Sequence, residues 1–477
     1  MINKKIISII IIALPIVYFL SNYYIGKGNF SFIKSFLNKE QISIIKKYIF
    51  PYKLISQQQK EIQQYQSTIL QQQVQQQESL KLIQERLKRI YELPLVKLEL
   101  DFKESLDDIR IEKTLDIKLS DNTIMNKYRL VDGFYTGIYF EYPGSGYIDF
   151  HKDNFLVLSS RGILGYNKNF ENELYFKVIK NNINDFIGLK QFSKNKWFSL
   201  KDLFIHENKI YISYTEEIKE NCWNTSVIYG NMNYAYINFK KLFSSKECIH
   251  SKNNIDNEFN AHQSGGRMFE FDNNHILLSV GEYRNRFLAQ KKDSINGKII
   301  KININTSDYE IISMGHRNPQ GLYYDKENNF IIESEHGPKG GDEINLIEID
   351  MINENKILNY GWPIVSAGEH YDHLNNEEKY KKYPLYKSHS EYSFMEPLKS
   401  FVPSIGISEV TKIGRNSYLV GSLRAYSLYF FELNNEKKMI NLKKVKVNER
   451  IRDLKFKNNK LYLFLENSAS IGIISLN

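Results

Sequence analysis

"DNNHILLSV", residues 272–280, is an Asn-bearing polar turn followed by an apolar run, and it decides the fold because the chain repeats it. The same shape returns as "KDNFLVLSS" (152–160), "HENKIYISY" (206–214), "ENNFIIESE" (327–335), "GRNSYLVGS" (414–422) and "KNNKLYLFL" (457–465). Asn tolerates the left-handed backbone that tight hairpins require, so Asn154, Asn208, Asn274, Asn329, Asn416 and Asn459 each read as a turn into a strand. From about residue 95 onward no helix-period segment runs longer than a few turns. Units of this size, each a few strands long, are the mark of an all-β propeller, and six copies predict a six-bladed β-propeller. The widest gap, between Asn329 and Asn416, predicts an insertion.

Hairpins that all turn at one pole of a disc place everything before their first strand, and after their second, at the opposite pole. "NAHQSGG" (260–266) precedes the hairpin at Asn274, and "GE" (281–282) follows it. "GHRNPQG" (315–321) precedes the hairpin at Asn329, and "HGPKGGDE" (336–343) follows it. "LRA" (423–425) follows the Asn416 strand, and "ERIRD" (449–453) precedes the hairpin at Asn459. His262, Arg317, Asn318, Gly337, Arg424, Arg450 and Arg452 are therefore expected to face one another around a single pole.

Guanidinium forks match carboxylates bidentately, so this set suits an anionic, oxygen-rich ligand; arginines bridging neighbouring blades are the plainer reading. His262, on a loop with Gly265 and Gly266, could accept a proton from a substrate hydroxyl or act as an ordinary hydrogen-bonding residue. "SEHGPKGGDEIN" (334–345) lacks the phosphate-binding G-x-x-x-x-G-K-[ST] pattern, and its acids do not alternate as in an EF-hand. Two readings stay open for it. The Gly337–Pro338 step could give backbone oxygens to a calcium ion, with Asp342 and Glu343 adding charge or bracing the loop from behind. Alternatively the loop is a tight turn whose acids cap backbone amides.

Composition bounds the rest. The chain has 477 residues, 42% hydrophobic and 25% charged, as in an ordinary globular protein. Its net charge of +9 is spread without a basic block, which argues against nucleic acid. "IISIIIIALPIVYFL" (6–20) follows Lys4 and Lys5 and reads as an uncleaved membrane anchor over residues 1–26, with the globular part outside the cytoplasm, periplasmic or at the cell surface. Residues 27–93 read as a linker containing a helical spacer at 54–92. There Ile55, Ile62 and Ile69, then Ile83 and Ile90, recur at heptad spacing, with Leu80 and Leu87 three residues ahead of the last two. That predicts a coiled coil, hence a homo-oligomer, ended by Pro94, with the propeller over 94–477. Cys222 and Cys248 allow a disulfide in an exported domain, or two buried thiols.

"GHRNPQGL" (315–322), "SEHGPKGGDEINLIE" (334–348), "NYGWP" (359–363) and "GEHY" (368–371) closely resemble the soluble pyrroloquinoline-quinone (PQQ) sugar dehydrogenases, the glucose/sorbosone dehydrogenase family. "HQSGGR" (262–267), "GSL" (421–423) and "RIRD" (450–453) fit in the same order, so the resemblance covers about 260–477. It implies PQQ and Ca2+ as cofactors, a sugar as substrate and a respiratory electron acceptor. It implies that His262 is the catalytic base, that Gln263, Arg317, Asn318, Arg424, Arg450 and Arg452 hold the cofactor, and that Gly337 and Pro338 hold the calcium. Arg424 stands where the best-known members carry Lys, the segment between Ile405 and Tyr418 lacks the family's aromatic loop motif, and residues 95–260 carry none of the family's motifs. The first expectation is thus a membrane-anchored dehydrogenase oxidising an aldose to its lactone. The second is a non-enzymatic propeller displayed on a coiled-coil stalk, binding a carbohydrate or protein, and the third a calcium-dependent lactone hydrolase.

Overall fold

The structure, a computed structural model, describes Lys39 and residues 52–477 apart from 139–141, 171, 353–356, 372–376 and 477. The expected anchor over 1–26 lies outside the described residues; among those described, no helix is long and apolar enough to cross a membrane. The chain divides into two compact units, Met1–Arg89 and Ile90–Asn477.

The second unit is built from the predicted hairpins. Each first strand pairs antiparallel with the strand after its polar turn, and four-stranded sheets grow outward from them. The first strands of blades 1 to 6 are Gly146–His151, Leu200–His206, Gly265–Asp272, Pro319–Asp325, Ile407–Lys412 and Ile451–Lys457. They touch one another in a closed ring, blade 6 against blade 1. Ile124–Leu130, from the start of the unit, supplies the outer strand of blade 6 and so fastens the ring. Asp108–Lys113 then bridges that strand to the outer strand of blade 1, merging the two blades into one 10-stranded sheet. The long insertion falls between the third and fourth strands of blade 4, Asp342–Glu348 and Lys399–Phe401.

The turns depart from expectation in one respect. Asn329 (φ 54) and Asn459 (φ 57) are left-handed, but in blades 1 and 2 that conformation falls to Lys152 (φ 58) and Glu207 (φ 53), and Asn274 and Asn416 do not adopt it. His151 already pairs with Asn154 across the blade 1 hairpin, so Asn154 is a strand residue and the turn precedes it.

Acids on the inner strands tie four of the six neighbouring blade pairs. Asp149 accepts the Ile205 amide (2.7 Å), Asp202 that of Met268 (2.8 Å), Glu409 that of Leu322 (3.0 Å) and Asp453 that of Ile148 (2.8 Å). Arg267 threads the axis between them. Its Nη1 meets Asp202 and Asp453 at 2.8 Å and Glu409 at 3.1 Å; its Nη2 donates to the Arg452 carbonyl and its Nε to that of Gln320, both at 2.8 Å. The guanidinium lies 5.2 Å from the Tyr147 ring, so this one side chain in blade 3 touches every other blade.

The spacer is a helix, Tyr52–Ser105, that runs through Pro94 instead of ending there. Proline costs one backbone hydrogen bond, and the turns beyond it are held by burial of Val96, Glu99 and Lys103 in the second unit. Lys180 caps their end, donating to the carbonyls of Glu104 (2.9 Å) and Leu106 (2.8 Å). Glu99 accepts the amides of Tyr135 (2.6 Å) and Thr136 (2.5 Å) and the Thr136 hydroxyl (2.6 Å). Cys222 and Cys248 form a disulfide.

Two outcomes are expected. Arg267→Met strands three carboxylates in the channel and should lower unfolding free energy by about 3–5 kcal/mol, read by denaturant titration. Burial raises the Glu99 carboxyl from 4.5 to about 7, despite its hydrogen bonds. The folded state therefore binds this proton more tightly than the unfolded chain, and stability falls as pH rises through the window from 4.5 to about 7. Glu99→Gln, which keeps the acceptor for both amides, should flatten that part of a stability–pH profile.

Candidate active site

At the pole opposite the hairpin turns, the loops entering blades 3, 4 and 6 bring the predicted residues together. His262 and Gln263 sit on a turn closed by Asn260, whose side-chain oxygen accepts the His262 amide (2.8 Å) and whose carbonyl accepts that of Gln263 (3.0 Å). Gly266 lets this segment lie against blade 2: with φ at 118°, a Cβ there would stand 2.4 Å from Lys201 Cβ.

His262 packs on the Trp197 ring (4.5 Å between centroids) and lies 6.4 Å from His336. Burial holds its imidazole well below the ordinary value of 6.5, and His336, Arg452, Lys201 and Arg450 push in the same direction. The ring is neutral at physiological pH, a base already in its accepting form.

Arg317 is buried. Its Nη1 donates to the His336 carbonyl (2.8 Å), and its guanidinium lies 5.3 Å from the Trp362 ring and 5.8 Å from that of Tyr371. Gln263 orients it once its amide is turned to match donors with acceptors: the amide oxygen then accepts from Arg317 Nη2 (2.8 Å) and Arg284 Nε (3.3 Å), while the amide nitrogen donates to Glu282. Asn318 uses its side-chain oxygen to accept the amide of Gly265 (3.2 Å), locking the entrances of blades 3 and 4 together. Arg450 and Arg452 are aligned by one buried carboxylate, Glu466, at 2.9 and 3.0 Å. Among the described residues, Arg452 Nε and His336 Nε2 are buried without hydrogen-bond partners. Arg424 differs from the other arginines: its backbone is pinned to Ile405 (2.9 Å) beside Leu423, but its side chain is exposed on the rim.

The glycine-rich loop curls tightly on itself. A Cβ on Gly337 would fall 1.7 Å from the Gly341 carbonyl oxygen. Asp342 braces it from behind: Oδ1 accepts the Gly337 amide (3.2 Å), and Oδ2 accepts those of Gly406 (2.6 Å) and Ile407 (3.0 Å) in blade 5. The tight-turn reading of the loop is met, since the acid caps amides of the loop and of blade 5. Backbone oxygens, the donors expected of Gly337 and Pro338, suit a hard cation such as calcium.

Several residues were missed from sequence. His336 lies inside a quoted motif but was not singled out. Trp197, Lys201 and Tyr142, whose ring lies 4.7 Å from the Arg450 guanidinium, come from blades without motifs. Behind Arg317, His316, Glu333 and Glu335 gather potential ligand atoms within 4.8 Å of one another. That group is hydrogen-bonded internally: Asn345 donates to both carboxylates at 3.0 Å, and Glu335 accepts the Arg317 amide. Asp342→Ala should leave three amides unpaired and lower stability by about 2–4 kcal/mol in denaturant titration.

The glucose/sorbosone dehydrogenase family model matches residues 198–474. The aldose sugar dehydrogenase YliI of Escherichia coli (strain K12) is 28% identical over 184 residues, 35% of this chain and 45% of that protein. The chain thus matches about half the length of its curated relatives. Among solved structures, the soluble aldose sugar dehydrogenase of Escherichia coli, in its apo-form, superposes with a TM-score of 0.53 at 20% identity, over 73% of this chain and 99% of that one. The PQQ-bound form of aldose sugar dehydrogenase from Streptomyces coelicolor gives a TM-score of 0.51 at 14% identity, over 74% and 98%. These two likenesses establish the propeller fold. With more than half of its residues matched by the family model, from blade 2 to the last strand of blade 6, the chain belongs to the glucose/sorbosone dehydrogenase family, the soluble quinoprotein sugar dehydrogenases.

Proposed function

We propose that this protein is a membrane-anchored quinoprotein that oxidises an aldose-type sugar to its lactone. The observation that carries the reading is the meeting of one neutral, buried imidazole, His262, with the guanidiniums of Arg317, Arg450 and Arg452 beside the Gly337–Pro338 loop. When bound, PQQ supplies the carbonyl that accepts hydride, with calcium polarising it. Gly337 and Pro338 would hold the calcium through backbone oxygens. Arg450 and Arg452, and Arg424 from the rim, would hold the cofactor carboxylates, and the unpartnered Arg452 Nε fits an acceptor there. Arg317, with Asn318 beside it, would face the negative charge that develops on the cofactor. An unprotonated ring nitrogen of His262 would take the proton of the anomeric hydroxyl. The names of the two aldose sugar dehydrogenases support the substrate class, and the PQQ-bound relative supports the cofactor.

The remaining features fit an exported, anchored domain passing electrons to a respiratory acceptor. The apolar run at 6–20 supports the anchor. The Cys222–Cys248 disulfide supports an oxidising compartment, periplasmic or at the cell surface. Ile62, Ile69, Leu80 and Ile83 are each more than half exposed along the helix, which supports pairing with a second copy as a coiled coil.

The test is calorimetry of the detergent-solubilised full chain with PQQ and calcium. Calcium-dependent binding is expected, weakened on the order of 100-fold in Arg317→Ala, where a buried charged donor is lost. A screen of aldoses with an artificial electron acceptor follows. A well-folded protein that binds no PQQ would overturn the proposal.

A further inference from the structure

Lys201, on the inner strand of blade 2, is buried within the site yet has no part in the chemistry above. Its Nζ donates to two backbone carbonyls, Trp197 (2.8 Å) and Ala261 (3.3 Å). Ala261 immediately precedes His262 in sequence, and Trp197 carries the ring on which the His262 imidazole packs. The two carbonyls flanking that of Trp197 are held as well: Arg161 donates to Phe198 O (2.6 Å) and Lys196 O (3.3 Å). Three consecutive carbonyls of the Trp197 loop are thus fixed by two buried basic side chains from blades 1 and 2. The groups acting on Lys201 besides burial are cations, Arg452 and Arg161. A surface-type amine has been placed where desolvation and like charge both oppose it, so the stability of the fold does not explain its presence.

We propose that Lys201 is a positioning residue for His262. One amine ties the backbone behind the imidazole to the backbone of the ring in front of it, and so sets where the base stands. The inference rests on the reading of His262 as the base. It uses no family motif, because blade 2 carries none.

His262 is faced by His336, Arg450 and Arg452 as well as Lys201, so the test must isolate one contribution. Lys201→Met removes the clamp at similar length, and Lys201→Gln retains one donor. The first readout needs no cofactor: the His262 ring titration in the apoprotein with selectively labelled histidine, assigned with His262→Asn. Removal of the amine should move the imidazole pKa upward by about one unit in Lys201→Met, and less in Lys201→Gln. The second readout is turnover of the loaded enzyme. Loss of on the order of 10–100-fold in kcat is expected, with sugar KM and PQQ affinity within about threefold of the parent, as for a displaced base.

An unmoved His262 titration in a folded variant overturns the proposal whatever the rate does. Equal losses in PQQ binding and kcat also overturn it, since they would make Lys201 a general structural element. If the parent protein binds no PQQ and turns over no sugar, the functional reading fails, and the ring titration still decides whether Lys201 sets the state of His262. If Lys201→Met does not fold, Lys201→Gln carries both measurements.

Discussion

The guanidinium of Arg267, buried on the axis of the disc, is the interaction on which the rest of the structure depends. A propeller has no central core; its inner strands converge on a channel that must be filled or hydrated. Here Arg267 fills it with five donors aimed at blades 2, 4, 5 and 6 and with a flat face toward Tyr147 of blade 1. Its carboxylate partners do double duty, since Asp202, Glu409 and Asp453 each also accept an amide from an adjacent inner strand. The ion cluster and the inter-blade hydrogen bonds are thus one network, and losing a member unpairs groups in two blades at once. Lys455 adds a second cation among the same acids; burial opposes its charge, and Asp149, Asp453, Glu409 and Asp202 outweigh burial.

The network also positions the site above it. Arg267 takes the carbonyl of Arg452, and the side chain of Arg452 is in turn aligned with Arg450 by Glu466. Asn318 and Gly265 lock blades 3 and 4 where His262 and Arg317 emerge, and Asp342 locks the glycine-rich loop to blade 5. Each functional group therefore hangs from a joint between blades, which holds it more firmly than a free loop would. The joints are also where neighbouring sequences meet for the first time, so their partners lie far apart in the chain.

Electrostatically the pole divides its labour. Buried Glu466 compensates the pair of arginines in blade 6, whereas the carboxylate near Arg317, Glu282, is itself raised to about 7 by burial, and burial holds the Arg317 guanidinium below its usual value. Burial, with His336, Arg452, Lys201 and Arg450 acting in the same direction, holds the His262 imidazole well below its usual value. An anion would be welcomed at a pole so rich in buried guanidiniums.

Much of this was legible in the sequence for a local reason. Polar turns followed by apolar runs need only neighbouring residues to form, so six hairpins, and from them six blades and the facing of His262, Arg317, Asn318, Gly337, Arg450 and Arg452, followed from chain order alone. Pro94 misled because a local rule was overridden: the buried Val96, Glu99 and Lys103 and the cap from Lys180 sustain the helix beyond it. Lys201, Trp197, Glu466 and the hub role of Arg267 could not be read in advance. Their roles depend on contacts between chain segments that only folding brings together, as when Arg267 meets Asp453 across the axis at 2.8 Å. Sequence by itself determined the hairpins and the kinds of side chain delivered to one pole. Only the closed ring decided which of them touch, because the burial and charge that set their chemistry exist only once blade 6 has met blade 1.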